Sequence, residues 1–510
     1  MFDPHGDSLT LAVIGAGVMG QGIAQIAAQA GLTVRLYDSF DGVAQRAQAT
    51  LTATFDKLVE RGRLTPAQAQ AAMARVSVAA QMQDLADADV VVEAIVEKLE
   101  AKQALFQQLE TMVAAHTVLA TNTSSLSVTA IAAGCKHPKR VAGFHFFNPV
   151  PLMKIVEVVE GALTDAQVID AMLALGQRMG HRAVRAKDTP GFIVNHAGRG
   201  FGTEALRLLA ESVGSPAAID DVLRVQAGFR LGPFELFDLV GLDVSVPVME
   251  SVYRQYFDEP RFRPSPLTVV RRNAGLLGRK SGAGFYTYAN GVAQPALWPT
   301  RGDTFPGPVW VSRRQAAWGE ACAAWLQEMG AQVEDAPQPS LEALCIVLPL
   351  GEDVSACVAA EGLDATRTLA LDWLLPQARC AAVFTNPLTS AQSVQRAVSL
   401  LRPLATSVRV LRDSLGLVGQ RVLATIVNIA CDIAQQGIAN PQDIDAAVTL
   451  GLGYPQGPLA WGDALGPRLL LQILRNMEAC SGDPRYRPSP WLRRRAELGA
   501  SLLTCEPQQD

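Results

Sequence analysis

The sequence predicts an α/β domain, then an all-α helical domain, then a degenerate second α/β plus helical copy. Three observations lead there. The apolar run 9–14 passes directly into Gly15-Ala16-Gly17-Val18-Met19-Gly20 and a helical pattern over 21–30, the strand, glycine turn and helix of a Rossmann-type unit. The chain also resembles itself: Gly191 and Gly416, Ile219-Asp220 and Ile444-Asp445, and Gly232-Pro233 and Gly457-Pro458 each lie 225 residues apart. Finally, 510 residues exceed what one core supports.

Composition bounds the chemistry. Hydrophobic residues make up 49% of the chain, with 42 glycines and 30 prolines, so neither a disordered nor a collagen-like chain fits. The 44 basic and 49 acidic residues leave a net charge of -5 without a long basic block, which argues against a nucleic-acid partner. Eight cysteines run from Cys135 to Cys505 with no Cys-x-x-Cys pair and no Cys/His cluster; reduced thiols and no metal site are expected. Residues 1–8 lack the basic-then-apolar order of a secretion signal, and no uncharged apolar run reaches about 18 residues. A soluble, cytoplasmic protein acting on small molecules, with no membrane partner, is the expectation.

In the first domain, Gly15 permits the tight turn and Gly17 lets the backbone approach a pyrophosphate. Gly20 lets helix pack on strand, and Val18 and Met19 complete the phosphate-facing turn. Gly31 can close the helix, and a second apolar run at 32–37 ends in Asp38. There a βαβ unit puts an acid on the adenosine ribose, accepting from a 2′-hydroxyl and repelling a 2′-phosphate, which selects NAD. An ordinary strand-ending turn acid is the other reading of Asp38. The sheet continues at 89–94 and 117–120, followed by Glu97 with Lys102 and by Asn122-Thr123-Ser124-Ser125. Beyond the carboxyl ends of parallel strands these residues are placed to touch cofactor and substrate; solvated loop residues and a helix cap are the alternative.

Two polar groups then sit in apolar company. His145 lies inside the aromatic run 141–149, and Glu157 among the β-branched residues of 154–160. An unpaired buried carboxylate is costly, so Glu157 needs a partner, and the preceding strand offers His145. A carboxylate on one ring nitrogen fixes the imidazole tautomer and stabilises the imidazolium formed when the other nitrogen takes a proton. Oxidation of an alcohol by hydride loss to a nicotinamide needs such a base. A core histidine satisfied by a buried glutamate is the plainer alternative.

Six segments in order across about the first 288 residues resemble the 3-hydroxyacyl-CoA dehydrogenase family. They are Gly15 to Gly22, Asn122-Thr123-Ser124-Ser125-Leu126, Gly143-Phe144-His145-Phe146-Phe147-Asn148-Pro149-Val150-Pro151, Asp188-Thr189-Pro190-Gly191-Phe192-Ile193-Val194-Asn195, Leu231-Gly232-Pro233-Phe234-Glu235-Leu236 and Lys280-Ser281-Gly282-Ala283-Gly284-Phe285-Tyr286. The resemblance implies NAD-dependent oxidation of an (S)-3-hydroxyacyl-CoA thioester to the 3-oxoacyl-CoA, in fatty-acid β-oxidation or phenylacetate-type aromatic-acid degradation. The duplicated length resembles members acting on 3-hydroxyadipyl-CoA and 3-hydroxybutyryl-CoA. By this resemblance His145 is the general base and Glu157 its orienting partner. Ser124 hydrogen-bonds the substrate hydroxyl, and Asn195 holds the substrate carbonyl side. Asn148 shapes the site around nicotinamide and His145. Glu97, Lys102, Asn122 and Lys280 stand at cofactor-contact positions, and the helical region 54–62, with Lys57 and Arg61 in it and Arg63 just after, lies near CoA phosphates; a solvated charged helix is the other reading of these three. The family's Asn-Arg appears here as Asn195-His196, with His196 expected on a helix surface or in a dimer contact. Two other classes are a dehydrogenase of a free hydroxy acid or sugar acid, and a non-catalytic NAD-binding structural protein.

The second half repeats the first in worn form. Arg263-Pro264-Ser265-Pro266 recurs as Arg487-Pro488-Ser489-Pro490, and residues 309–312, 345–348 and 380–384 read as strands, with a helix over 313–329. Phe384-Thr385-Asn386-Pro387 echoes Phe146-Phe147-Asn148-Pro149, which sets Val383 opposite His145. There is no second Gly-x-Gly-x-x-Gly there, and all six histidines lie at or before His196, so one active site per chain is expected. The expected domains are 1–188 (NAD-binding), 189–290 (helical), 291–412 (degenerate α/β) and 413–510 (second helical). The last would pack on 189–288 in a pseudo-twofold manner, making a homodimer or a pseudo-dimeric monomer.

Overall fold

The computed structural model describes residues 2–6, 8–294 and 307–506; residues 295–306, which open the expected third domain, lie outside the described residues. The chain divides into two compact units, Met1–His196 with Gln436–Leu452, and Ala197–Gln435 with Gly453–Asp510. This division crosses the expected boundaries, because 436–452 joins the first α/β unit. Among the described residues, no helix is long and apolar enough to cross a membrane.

The first unit is built on an eight-stranded sheet. Its strands are β1 (Thr10–Ile14), β2 (Thr33–Tyr37), β3 (Val76–Val78), β4 (Val90–Glu93), β5 (Val118–Thr121), β6 (Val141–Phe146), β7 (Ile155–Glu160) and β8 (Arg182–Lys187). They lie in the order β3-β2-β1-β4-β5-β6-β7-β8, parallel throughout except for β6 against β7. β4, β5 and β6 are buried at every position, so their apolar runs need no alternation. Helix α1 (Val18–Gln29) turns Ile23, Ile26 and Ala27 into the core, and α2 (Val43–Glu60) turns in Ala44, Ala47, Leu51 and Phe55 at helical spacing. Gly31, at φ +86°, closes α1 as expected. Strand order reverses between β1 and β4, so the crevice beyond their carboxyl ends is where such a sheet takes a ligand.

The second unit opens with α3 (Arg199–Ala210) and α4 (Pro216–Asp221), and carries a small hairpin, β9 (Tyr288–Ala289) with β10 (Val292–Ala293). Its main sheet comprises β11 (Pro308–Val311), β12 (Gln332–Glu334), β13 (Leu344–Val347), β14 (Thr368–Leu371), β15 (Cys380–Thr385) and β16 (Ser407–Arg412), in the order β12-β11-β13-β14-β15-β16. β14 is absent from the sequence reading, and it changes the match made there. β15 is antiparallel to β14 and parallel to β16, as β7 is to β6 and β8. Asn386-Pro387 therefore follows the strand that corresponds by topology to β7, not β6, and the expectation that Val383 stands opposite His145 is corrected.

Helix α5 (Gly419–Gln435) is buried along nearly its whole length and packs on α3. Charge fixes that seam. The buried Glu204 carboxylate on α3 accepts from Arg421 Nε at 2.9 Å, Arg485 Nη1 at 2.8 Å and Tyr486 Oη at 3.0 Å, while Arg421 also grips Glu211 at 2.6 and 2.9 Å.

One segment remains, and it completes the first unit. The Lys187 N–H on β8 donates to Ile438 O at 2.9 Å, and Arg182 pairs with Asp443 at 2.9 Å. Helix α6 (Pro441–Leu452) then packs on β7 and β8 with Ile444, Ala447 and Val448 buried. The second unit holds the reciprocal bond, with the donor 225 residues later and the acceptor 225 residues earlier: the Arg412 N–H donates to Val213 O at 2.8 Å.

Burial pushes the Glu204 carboxyl up, but Arg421 and then Arg485 overcome it and hold the group below its ordinary 4.5. A carboxyl depressed by folding contributes stability that is complete above the unfolded value and is lost as pH falls through the folded one. Glu204→Gln leaves two buried guanidinium groups on a neutral amide and should cost about 3–5 kcal/mol at pH 7. Urea unfolding reads this as a lowered midpoint, and the gap to the parent should narrow as pH drops below 4.5.

Candidate active site

Because β6 and β7 pair antiparallel in register, His145 stands directly across from Glu157. The His145 Nδ1 to Glu157 Oε2 distance is 2.6 Å, and the residues are 4% and 0% exposed. Glu157 Oε1 accepts from the N–H groups of Ile193 and Val194, each at 2.9 Å. Both oxygens are thus occupied. Since a carboxylate only accepts, it assigns the hydrogen to Nδ1 and leaves Nε2 as the ring position able to receive a proton. The rings of Phe147 and Phe192 stand 4.3 and 5.7 Å from the imidazole, centroid to centroid, and make its surroundings apolar.

The glycine turn lies at the crevice between β1 and β4. Gly15 adopts φ +99°, and a Cβ there would lie 2.5 Å from Ala94 O; a Cβ on Gly20 would overlap Gly15 O. Only glycine fits either place. Gly17 differs, because nothing lies within 4 Å of a Cβ built on it, and it heads α1 with no side chain capping the first turn. Open space at an uncapped helix N-terminus suits a pyrophosphate. Val18 is 71% exposed beside it, with Met19 half-buried. Asp38 Oδ2 accepts from the Ala16 N–H at 2.8 Å and Oδ1 from Phe40 N–H at 3.0 Å, which ties the end of β2 to the turn and leaves a half-buried carboxylate at its edge.

Glu97 organises the loop that carries Ser124. One of its oxygens accepts from Thr123 Oγ1 at 2.7 Å, Ser124 N at 2.8 Å, Ser125 N at 3.0 Å, and the hydroxyls of Ser125 and Ser124 at 3.1 and 3.2 Å. Burial raises the Glu97 carboxyl, and Lys102, Thr123 and Ser124 outweigh it, holding the group below its usual range. Lys102 is buried with its Nζ 2.5 Å from Glu93 and 3.3 Å from Glu97. It neutralises two carboxylates rather than standing open to a ligand. Asn195 Nδ2 donates to Ser124 O at 3.2 Å, which joins the serine loop to the residues around Glu157. Asn122 Oδ1 accepts from the Phe146 N–H at 2.8 Å, next to His145.

The remaining expected residues are more dispersed. Asn148 is exposed just past β6, and Lys57 is exposed near the end of α2. Lys280 belongs to the second unit, where it pairs with Asp243 at 2.7 Å. His196, expected on a helix surface or in a dimer contact, is fully buried, which corrects the surface reading. Sequence reasoning passed over Glu93, a fully buried carboxylate ending β4 that accepts from Lys102 and from Thr121 Oγ1 at 2.7 Å. The rule that singled out Glu157, an acid inside a valine run, identifies Glu93 as well.

The model described as 3-hydroxyacyl-CoA dehydrogenase, NAD binding domain, matches residues 10–189, and that described as 3-hydroxyacyl-CoA dehydrogenase, C-terminal domain, matches twice, at 191–288 and 416–501. A 3-hydroxyadipyl-CoA dehydrogenase of Escherichia coli (strain K12) is 38% identical over 491 residues, 96% of this chain and 98% of that protein. A probable 3-hydroxybutyryl-CoA dehydrogenase of Bacillus subtilis (strain 168) is 40% identical over 276 residues, 54% of this chain and 96% of that protein. A crystal structure of 3-hydroxybutyryl-CoA dehydrogenase from Escherichia coli K12 superposes with a TM-score of 0.85 at 36% identity, covering 96% of this chain and 98% of the other.

The glycine geometry separates two substitutions. Gly17→Ala should keep the fold and weaken NADH binding about tenfold or more, because its methyl enters the phosphate space. Gly20→Ala should lower the melting temperature as well, because its methyl meets backbone. Fluorescence titration with NADH alongside thermal unfolding checks both; undiminished NADH affinity in Gly17→Ala would move the phosphate site elsewhere.

Proposed function

The chain belongs to the 3-hydroxyacyl-CoA dehydrogenase family and is an NAD-dependent dehydrogenase, and from that premise we propose that it oxidises an (S)-3-hydroxyacyl-CoA to the 3-oxoacyl-CoA with His145 as general base. The observation that carries the proposal is the buried 2.6 Å contact between His145 and Glu157. The Gly15–Gly20 turn would hold the pyrophosphate of NAD and Asp38 its ribose, and the nicotinamide would supply the acceptor for the hydride that leaves the carbinol carbon.

His145 accepts the substrate hydroxyl proton on Nε2 while Nδ1–H stays on Glu157. The charge that develops on the ring is met by a carboxylate already in place, so the surrounding phenylalanines need not solvate it. Two backbone amides hold Glu157 in turn. Ser124 orients the substrate hydroxyl, with Glu97 fixing the loop from behind, and Asn195 lies within reach of the thioester side. Lys102 serves the cofactor side through Glu93 and Glu97. General-base catalysis of this kind contributes about 10²–10⁴ in rate.

The relatives' names point to short acyl chains, one of them dicarboxylic, and we assign this chain a short or dicarboxylic 3-hydroxyacyl-CoA, in fatty-acid or phenylacetate-type breakdown. Eight cysteines without a disulfide suit a reducing, cytoplasmic setting. We read 291–412 as a worn copy of the first α/β domain. In both sheets the last three strands run antiparallel and then parallel, and one pair beyond Leu371↔Val383 sets Asp372 against Ala382, the places of His145 and Glu157. Asp372 accepts from the N–H groups of Gly419 and Gln420, so a carboxylate still anchors the following helix while the base is gone. One active site per chain follows, within a pseudo-dimeric chain.

NADH absorbance with 3-hydroxybutyryl-CoA, 3-hydroxyadipyl-CoA and the corresponding free acids tests the reading. Activity should require the thioester; equal rates on the free acids would favour a hydroxy-acid or sugar-acid dehydrogenase. His145→Gln should bind NADH as the parent does and lose about 10²–10⁴ in kcat. A near-parent rate in that variant would overturn the mechanism.

A further inference from the structure

We propose that residues 436–452, which the second half of the chain delivers to the first α/β unit, position the His145–Glu157 pair. The inference rests on His145 being the base and concerns what holds that base in place. Glu157 is fixed at one oxygen by the amides of Ile193 and Val194, so any movement of that turn, or of β7 itself, alters the carboxylate that faces the imidazole.

Helix α6 backs both. Its residues Ile444, Ala447, Val448 and Gly451 fall at i, i+3, i+4 and i+7 and form one stripe. At Gly451 the approach is tightest: a Cβ there would lie 3.0 and 3.1 Å from the methyls of Val194 and 3.5 Å from a methyl of Ile155. Val194 is one of the two residues that bond Glu157, and Ile155 begins the strand that carries it. Glycine inside a helix opposes helix propensity, so its place at 451 is explained by this contact. The segment is pinned at its other end by Lys187 N–H to Ile438 O and by Arg182 to Asp443. No side chain of 436–452 needs to touch substrate. Gly451 is a positioning residue that acts through Val194 and Ile155 on Glu157.

Full-length Gly451→Val and Gly451→Ala test the assignment, with turnover expressed per NADH-binding site so that misfolded protein does not count. A misplacement near 1 Å at reacting groups costs about 10²-fold, so Gly451→Val should lose about tenfold or more in kcat. KM for NAD should stay within about twofold, since the glycine turn is untouched, and Gly451→Ala should fall between parent and valine. In a Glu157→Gln background, where the carboxylate partner is already gone, Gly451→Val should add less than about twofold. Equal losses in both backgrounds, or an undiminished kcat in folded Gly451→Val, would overturn the proposal; if Gly451→Val does not fold, the same two criteria apply to Gly451→Ala. Failure of the parent to oxidise any 3-hydroxyacyl-CoA would instead overturn the functional reading.

Discussion

A carboxylate without solvent, set in the middle of a strand, must find hydrogen-bond donors for both oxygens, and much of the catalytic unit is arranged around how Glu157 does so. Its strand is the first of two, β7 and β8, that run against the other six, and the antiparallel pairing of β7 with β6 sets His145 across from it in register. The other oxygen takes two amides from the turn at 193–194. Remove the carboxylate and the imidazole, the turn and the strand pair lose their common tie. Burying an ionised group is expensive unless its partners are complete, which explains why each of these contacts is short and none is solvent-facing.

The same device recurs. Glu93 ties the end of β4 to Lys102, Glu204 ties α3 to Arg421 and Arg485, and Asp372 ties the end of β14 to the start of α5. In each case a buried acid marks a joint between two secondary-structure elements. Only the Glu157 joint includes a histidine.

Local pattern made the first half readable. The glycine turn, Asp38, and the pairing of His145 with Glu157 each follow from short-range rules of spacing and burial, and the structure sets Asp38 against the turn and His145 against Glu157. What local pattern could not supply was anything set by distant contacts. β14 is Thr-Leu-Ala-Leu, three apolar residues behind a threonine, so the strand beside β15 went unseen and Val383 was matched to His145. Lys102 looked like a ligand for cofactor because the acid that neutralises it, Glu93, ends a strand and looked like part of it. His196 looked like surface because its polarity is visible in sequence and its enclosure is not. The course of 436–452 back to the first sheet is the clearest case, since nothing in its composition names β7 and β8 as its neighbours.

That course bears on how the protein is made. Between Lys187 and Ile438, which share a backbone hydrogen bond, lie some 250 residues of intervening chain. Translation at about 5–20 residues per second takes roughly 10–50 s to cross that interval. Throughout it the N-terminal sheet waits on the ribosome with the flank of β7 and β8 uncovered, a long-range closure of the slow and aggregation-exposed kind. A polypeptide released before residues 436–452 emerge lacks the cover on β7 and β8. The last third of the chain, poor in chemistry, sets the moment at which the first third is finished.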